Sequence, residues 1–306
     1  MRVGYIIETT SLSKQYGHET VVNQVNLKVQ PGTIYGLLGE NGAGKTTLMK
    51  MLTTLALPTQ GAIKLFGTTL ERNSDLMSEV GAMIETPVFY SSLSAEENLM
   101  IHCRYKKVPL SDMKEYLEML GIYKHRDKKV KQFSLGMKQR LGLARSLIGN
   151  PRLLILDEPI NGLDPSGIKE IRELLIRLKK ERGTTILLSS HILNEIEHCA
   201  DTIGFMHKGV LCKEKGIGEL QDAEIRLYEI KIKHLDLHVE KLKKVFEVVN
   251  IYHQTVVVSA AGLTATEAIK RLIENEIEMI EMKALTESLE DYYMTMIAER
   301  KEGEAI

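Results

Sequence analysis

The chain has 306 residues, 43% of them hydrophobic, and 40 Lys and Arg against 41 Asp and Glu for a net charge of −1; that length predicts roughly two domains with apolar content ample for a core. The charge balance exerts no electrostatic pull on nucleic acid, so no nucleic-acid partner is expected. No run approaches the ~18 apolar residues of a membrane span, the N-terminal MRVGYIIETT lacks a signal-peptide core, and Cys103, Cys199 and Cys212 are too few and too scattered for a disulfide or zinc framework; a cytosolic protein is expected.

Residues 5–36 alternate in the manner of antiparallel strands, broken at Gly17-His18 and at Pro31-Gly32. The apolar run from Thr33 to Leu38 then leads directly into GENGAGKTT, residues 39–47. This is a strand, a glycine-rich loop and a helix start, in the order that polyphosphate binding requires. Gly39, Gly42 and Gly44 let the backbone turn its N–H groups toward phosphates, Lys45 adds a point charge and Thr46 offers a hydroxyl to Mg²⁺. Such a loop marks an ATP or GTP site without naming the machine that uses it.

Residues 88–150 carry helical spacing from Ala95 to Lys106, Asp112 to Leu120 and Lys138 to Ile148, which predicts a helical subdomain inserted into the core. Within it, FSLGMKQR puts Ser134 at a helix N-cap with Gly136 at the tip. A helix tip of this kind is a second anion site, although on these residues alone an ordinary capped surface helix is the simpler reading. Residues 153–158, LLILDE, read as a strand buried on both faces that ends in two acids. At a strand's carboxyl end, Asp157 is placed to hold Mg²⁺ through water and Glu158 to orient or deprotonate an attacking water; acids that open a turn before Pro159 are the plain alternative.

Lys169 to Glu181 reads as an amphipathic crossover helix. The apolar strand Thr184 to Ser189 follows and precedes His191, which on the residues alone is a structural histidine at a carboxyl edge. Beyond residue 221 the pattern becomes strand Leu227 to Lys233, helix Val239 to Phe246, strand Gln254 to Ser259, helix Thr264 to Glu274, strand Ile277 to Met282 and helix Leu285 to Ile297. That alternation predicts a small ferredoxin-like α+β domain over residues 221–306, with no catalytic constellation and a role in dimer stabilisation or regulation.

Taken in order, GENGAGKTT, FSLGMKQR, LLILDEP, Asn161-Gly162-Leu163-Asp164 and Ser189-Ser190-His191 resemble the ATP-binding cassette (ABC) ATPases that power membrane transporters, over about residues 3–220. The resemblance implies an α/β fold: a P-loop NTPase core with an antiparallel β edge sheet and an inserted helical subdomain at 88–150, in a nucleotide-binding domain of residues 1–220, plus the small C-terminal α+β domain. It implies ATP and Mg²⁺ as cofactors and a head-to-tail homodimer, or a paired cassette. In that dimer Ser134, Leu135 and Gly136 of one chain cap the ATP held by the other, and Gly162 to Asp164 link the two sites. Catalysis is then expected from Glu158, His191 and Lys45. Nucleotide contacts are expected from Tyr16 and from Gly39, Glu40, Asn41, Gly42, Ala43, Gly44, Lys45, Thr46 and Thr47, and metal contacts from Thr46, Glu85 and Asp157. Tyr16 falls where the family stacks an aromatic ring on adenine, although a tyrosine of a half-buried strand fits the residues as well.

Glu85 departs from the general pattern, because most of these ATPases carry a glutamine there that touches Mg²⁺ and the membrane partner. The stretch IETPVFYSSLSAEENL, with this glutamate, resembles the branch that contains bacitracin-resistance and lantibiotic self-immunity transporters. That branch implies the ATPase subunit of an exporter, cytoplasmic and peripheral on the inner face of the membrane through permease subunits. Val88, Phe89 and Tyr90 then either receive a coupling helix of the permease or pack within the helical arm. A complex that senses a drug without moving it, or an exporter of another cargo, fits the same motifs.

Overall fold

The computed structural model describes residues 4–71, 75–217, 227–259 and 263–285, which fall into two compact units, Met1–Ile217 and Gly218–Ile306. In the first unit β1 (Ile7–Tyr16) pairs antiparallel with β2 (Glu19–Val25) and with the short β3 (Lys28–Val29). The next strand, β4 (Ile34–Leu38), leaves this sheet. All five of its residues are buried, so it has no polar face to turn to solvent and belongs at the centre of a covered sheet. The edge sheet is completed instead by β5 (Gln60–Leu65) and β6 (Thr68–Thr69), which follow α1 (Lys45–Leu52). The alternation of residues 5–36 therefore gives three of that sheet's five strands.

The central sheet adds β7 (Val80–Met83), β8 (Leu153–Leu156), β9 (Thr185–Ser190), β10 (Thr202–His207) and β11 (Val210–Gly216) in the order β11-β10-β4-β9-β8-β7. Five strands are parallel, and β11 is an antiparallel edge. Because Leu38 pairs with Ser190 and Leu156 with Leu188, the carboxyl ends of β4, β8 and β9 lie side by side. Between the two sheets, Ile7, Leu12, Leu27, Leu37, Leu48, Met49, Leu52, Ile155 and Leu187 share one core; burying each such side chain is worth about 1.5–3 kcal/mol.

The inserted helices are α2 (Ala95–Lys106), α3 (Asp112–Met119) and α4 (Leu135–Leu147). Ser94 starts α2 through a reciprocal capping box with Glu97. The Ser134 hydroxyl accepts from Met137 N at 3.3 Å, so α4 starts three residues earlier than apolar spacing alone predicts. Asp164 caps α5 (Pro165–Arg182), and the short α6 (Leu193–Glu197) follows β9.

The second unit runs β12 (Leu227–Ile232), helix Leu235–Val245, β13 (Glu247–Tyr252), β14 (Thr255–Ser259), helix Ala265–Glu274 and β15 (Met279–Leu285). Its antiparallel sheet is ordered β13-β14-β12-β15, the βαββαβ arrangement of a ferredoxin-like fold. Strand β13 escapes the sequence pattern because it is an edge strand exposed along most of its length. Leu285 ends β15 and does not begin a helix; the rest of that expected helix, to Ile297, lies outside the described residues. No helix among the described residues is long and apolar enough to cross a membrane.

Candidate nucleotide site

The loop between β4 and α1 is shaped by close backbone approach. At Gly44 φ is +99°, and a Cβ there would sit 2.6 Å from the Val21 carbonyl on β2 and 2.9 Å from Met206 Cε, so only glycine fits. α1 then begins without a side-chain cap and without an acid in its first turn, leaving its N–H groups and positive end open to an anion. Lys45 is buried, with Nζ donating to Gly39 O at 2.6 Å and to Glu40 O at 3.2 Å. The same nitrogen lies 3.6 Å from Glu158 Oε1, so this buried charge is both hydrogen-bonded and paired.

One residue on, Thr46 Oγ1 donates to Asp157 Oδ2 at 2.8 Å. The other carboxylate oxygen of Asp157 accepts from Ser189 Oγ at 2.7 Å, and that hydroxyl accepts the Glu158 N–H at 2.9 Å. A hydroxyl and a carboxylate side by side at the foot of a phosphate loop are hard oxygen donors of the type Mg²⁺ takes.

Glu158 adopts a left-handed backbone, φ +48°, a strained conformation for a residue with a side chain. Its Oε2 lies 2.8 Å from His191 Nδ1, and its carbonyl accepts from Gln139 Nε2 at 3.1 Å. Gln139 also donates to Pro159 O at 3.0 Å, so α4 is locked to the turn after β8. Beyond His191, Ser190 Oγ donates to Glu195 Oε2 at 2.9 Å. Burial raises the Glu195 carboxyl above its usual value; the Ser190 hydrogen bond opposes this, the Glu158 charge adds to it, and His191 opposes it.

The structure therefore brings Lys45, Thr46, Asp157, Glu158 and His191 together. It treats the other expected residues differently. Ser134 is exposed and committed to capping α4, while Leu135 and Gly136 pack against Gly162 and Leu163. Among the described residues, no hydrogen bond joins Ser134 or Gly136 to residues 39–47. Tyr16 ends β1 with its ring 50% exposed and Lys14 Nζ 4.7 Å from the ring centroid. Glu85 directs its backbone N–H, and not its carboxylate, at Asp157 Oδ2, 3.4 Å away; the carboxylate turns to Lys50 Nζ at 2.7 Å. Gln139 and Ser189 lie inside motifs read from the sequence, but no role is expected of either from sequence, and Glu195 lies outside those motifs. The available signals were a glutamine on an apolar helix face and a serine ending a wholly buried strand.

On the helical arm, Val88, Phe89, Tyr90, Ile101, His102, Tyr105 and Arg145 line a groove of about 520 Å³. Val88 is 81% exposed, and Arg145 stacks 4.8 Å over the Phe89 ring while donating to Val88 O at 2.9 Å.

Residues 22–161 match the sequence profile of the family described as ABC transporter. The bacitracin transport ATP-binding protein BcrA of Enterococcus faecalis is 44% identical over 301 residues, covering 97% of this chain and 98% of that one. The lantibiotic transport ATP-binding protein SrtF of Streptococcus pyogenes is 46% identical over 210 residues, 69% of this chain and 90% of its own. Among solved structures, an ATP-binding subunit of an ABC transporter superposes with a TM-score of 0.65 at 29% identity, over 71% of this chain and 92% of that chain. A dimeric ATP-binding cassette solved in a post-hydrolysis state with ADP and phosphate gives the same TM-score at 23% identity, over 69% of this chain and 98% of its own, and shares the fold. The phosphate loop, the paired acids and this likeness along nearly the whole chain converge: the protein belongs to the ABC transporter family, as one of its ATPase subunits.

Proposed function

We propose that this chain hydrolyses ATP with Mg²⁺ to drive a membrane exporter of peptide antibiotics of the bacitracin or lantibiotic type. One observation carries the catalytic half: Lys45, Thr46, Asp157, Glu158 and His191, from three separate strand ends, meet at one edge of the parallel sheet. The cargo class rests on the likeness to a bacitracin transport protein, which extends through the second unit as well as the cassette.

In this reading Thr46 and Asp157 would hold Mg²⁺, which would supply neutralisation of phosphate charge for attack by water on the γ-phosphoryl group. Lys45 leaves the carbonyls of Gly39 and Glu40 for the phosphate oxygens, and the open N-terminus of α1 faces the same charge. Glu158 orients the attacking water and takes its proton, with its carboxylate aimed by His191 Nδ1. Tyr16 stacks on the adenine, and the exposed tip of α4, Ser134 to Gly136, caps the γ-phosphate held by a second copy in a head-to-tail dimer. The groove from Val88 to Arg145 accepts a coupling segment of the permease, which holds the ATPase at the inner face of the membrane. Residues 1–220 act as the nucleotide-binding domain and residues 221–306 as an accessory domain that stabilises the dimer or regulates it.

The test is peptide-antibiotic susceptibility of cells expressing this chain with its membrane partners, wild type against Lys45→Ala. Resistance to a bacitracin-like or lantibiotic compound is expected to vanish with Lys45→Ala. Equal susceptibility to every compound would remove the antibiotic reading and leave the ATPase in place.

A further inference from the structure

We propose that Lys50 is a positioning residue for the nucleotide site: it neutralises Glu85 and holds that carboxylate away from the Thr46–Asp157 pair. The proposal rests on the nucleotide reading of the site. Lys50 lies on α1, the helix that also carries Lys45 and Thr46, and its Nζ is 2.7 Å from Glu85 Oε1. Glu85 is anchored from the other side by its own N–H on Asp157 Oδ2 at 3.4 Å, and its φ of +59° turns backbone and side chain toward different partners. The residue therefore stands between the metal-binding acid and a cation.

Charge gives the pairing its purpose. Glu85 lines the same cavity as Asp157 and Glu158, so a free third carboxylate would face two acids and the polyphosphate that must enter. An amide at this position needs no counter-charge, whereas a carboxylate does. The pair reaches solvent, with Lys50 half-buried at 31% and Glu85 exposed at 60%, and a solvent-accessible ion pair adds little to fold stability. Its effect is therefore expected in ligand affinity, and substitutions here leave the fold intact.

ATP binding to the full chain, measured by calorimetry with Mg²⁺ chelated and again with Mg²⁺ present, tests the proposal in wild type, Lys50→Met, Glu85→Gln and the double variant. Lys50→Met is expected to weaken metal-free ATP binding about tenfold in the wild-type background and less than about twofold in the Glu85→Gln background. Mg²⁺ should narrow the first difference, and Lys50→Arg should retain wild-type affinity. An equal loss from Lys50→Met in both backgrounds, or no loss in either, would overturn the pairing while leaving the nucleotide reading standing. A wild-type chain that binds no ATP would overturn both.

Discussion

A single hydroxyl organises the acids of this site. Ser189 Oγ donates to Asp157 Oδ1 and accepts the Glu158 N–H, so the end of β9 holds the Asp157 carboxylate in orientation and Glu158 in its left-handed backbone. A left-handed non-glycine residue costs of order 1–3 kcal/mol and persists where its surroundings over-determine it; here Gln139 and His191 complete that fixation. His102, in the groove of the arm, is held neutral by a different means. Burial first, then the charges of Lys106 and Arg145, lower its pKa from 6.5 to about 4. As pH falls below 6.5 the unfolded chain takes up a proton that the folded chain refuses until about pH 4, so stability is lost across that window. Because the ring keeps partial solvent contact, screening reduces the effect to about 1 kcal/mol. Urea midpoints at pH 7 and pH 4.5 should show His102→Gln losing about that much less than wild type; identical pH slopes would refute it.

The elements are set by how closely they approach. A Cβ on Gly81 of β7 would lie 2.0 Å from the Ser146 carbonyl of α4 and 2.7 Å from Leu154 Cδ2 of β8, and a backbone carbonyl does not swing aside as a side-chain end would. Gly81→Ala is therefore expected to destabilise the first unit by about 1–3 kcal/mol, read as a lower denaturation midpoint at unchanged m-value. At this scale the strands most legible in the sequence were those buried on both faces, β4, β8 and β9, whose apolar runs admit few alternatives. The start of α4 was legible from its Ser134 cap, although its apolar spacing placed it later. Strand β13 was not, because an exposed edge strand lacks the apolar alternation that marks a half-buried one. Nor were β5 and β6 assigned to the edge sheet, since their pairing with β1 spans a loop and a helix that no local pattern encodes.

At the scale of the whole molecule, the proposed pairing of two copies makes a prediction of its own. One chain supplies the phosphate loop and the acids, while the tip of its α4 stays exposed with no hydrogen bond to that loop among the described residues. If a second copy completes the site, removing the proton acceptor should stall the assembly after closure. Glu158→Gln is expected to lower ATP turnover by a factor on the order of 10²–10⁴. In size-exclusion chromatography with ATP and Mg²⁺ the variant should elute as a dimer; elution as a monomer would count against the paired site.

The sequence by itself determined the phosphate loop, the acids after β8, the family, and the strand and helix order of most of both units. Each is written in contiguous residues, as glycine spacing, an apolar run or a cap. What only the tertiary structure decided is how side chains from separate strand ends share partners: Ser189 between two acids, Gln139 tying α4 to Glu158, and Lys50 drawing the Glu85 carboxylate away from Asp157. These contacts depend on the parallel register that sets β4, β8 and β9 side by side. That register comes from burying apolar faces across the whole sheet, a sum over residues far apart in the chain.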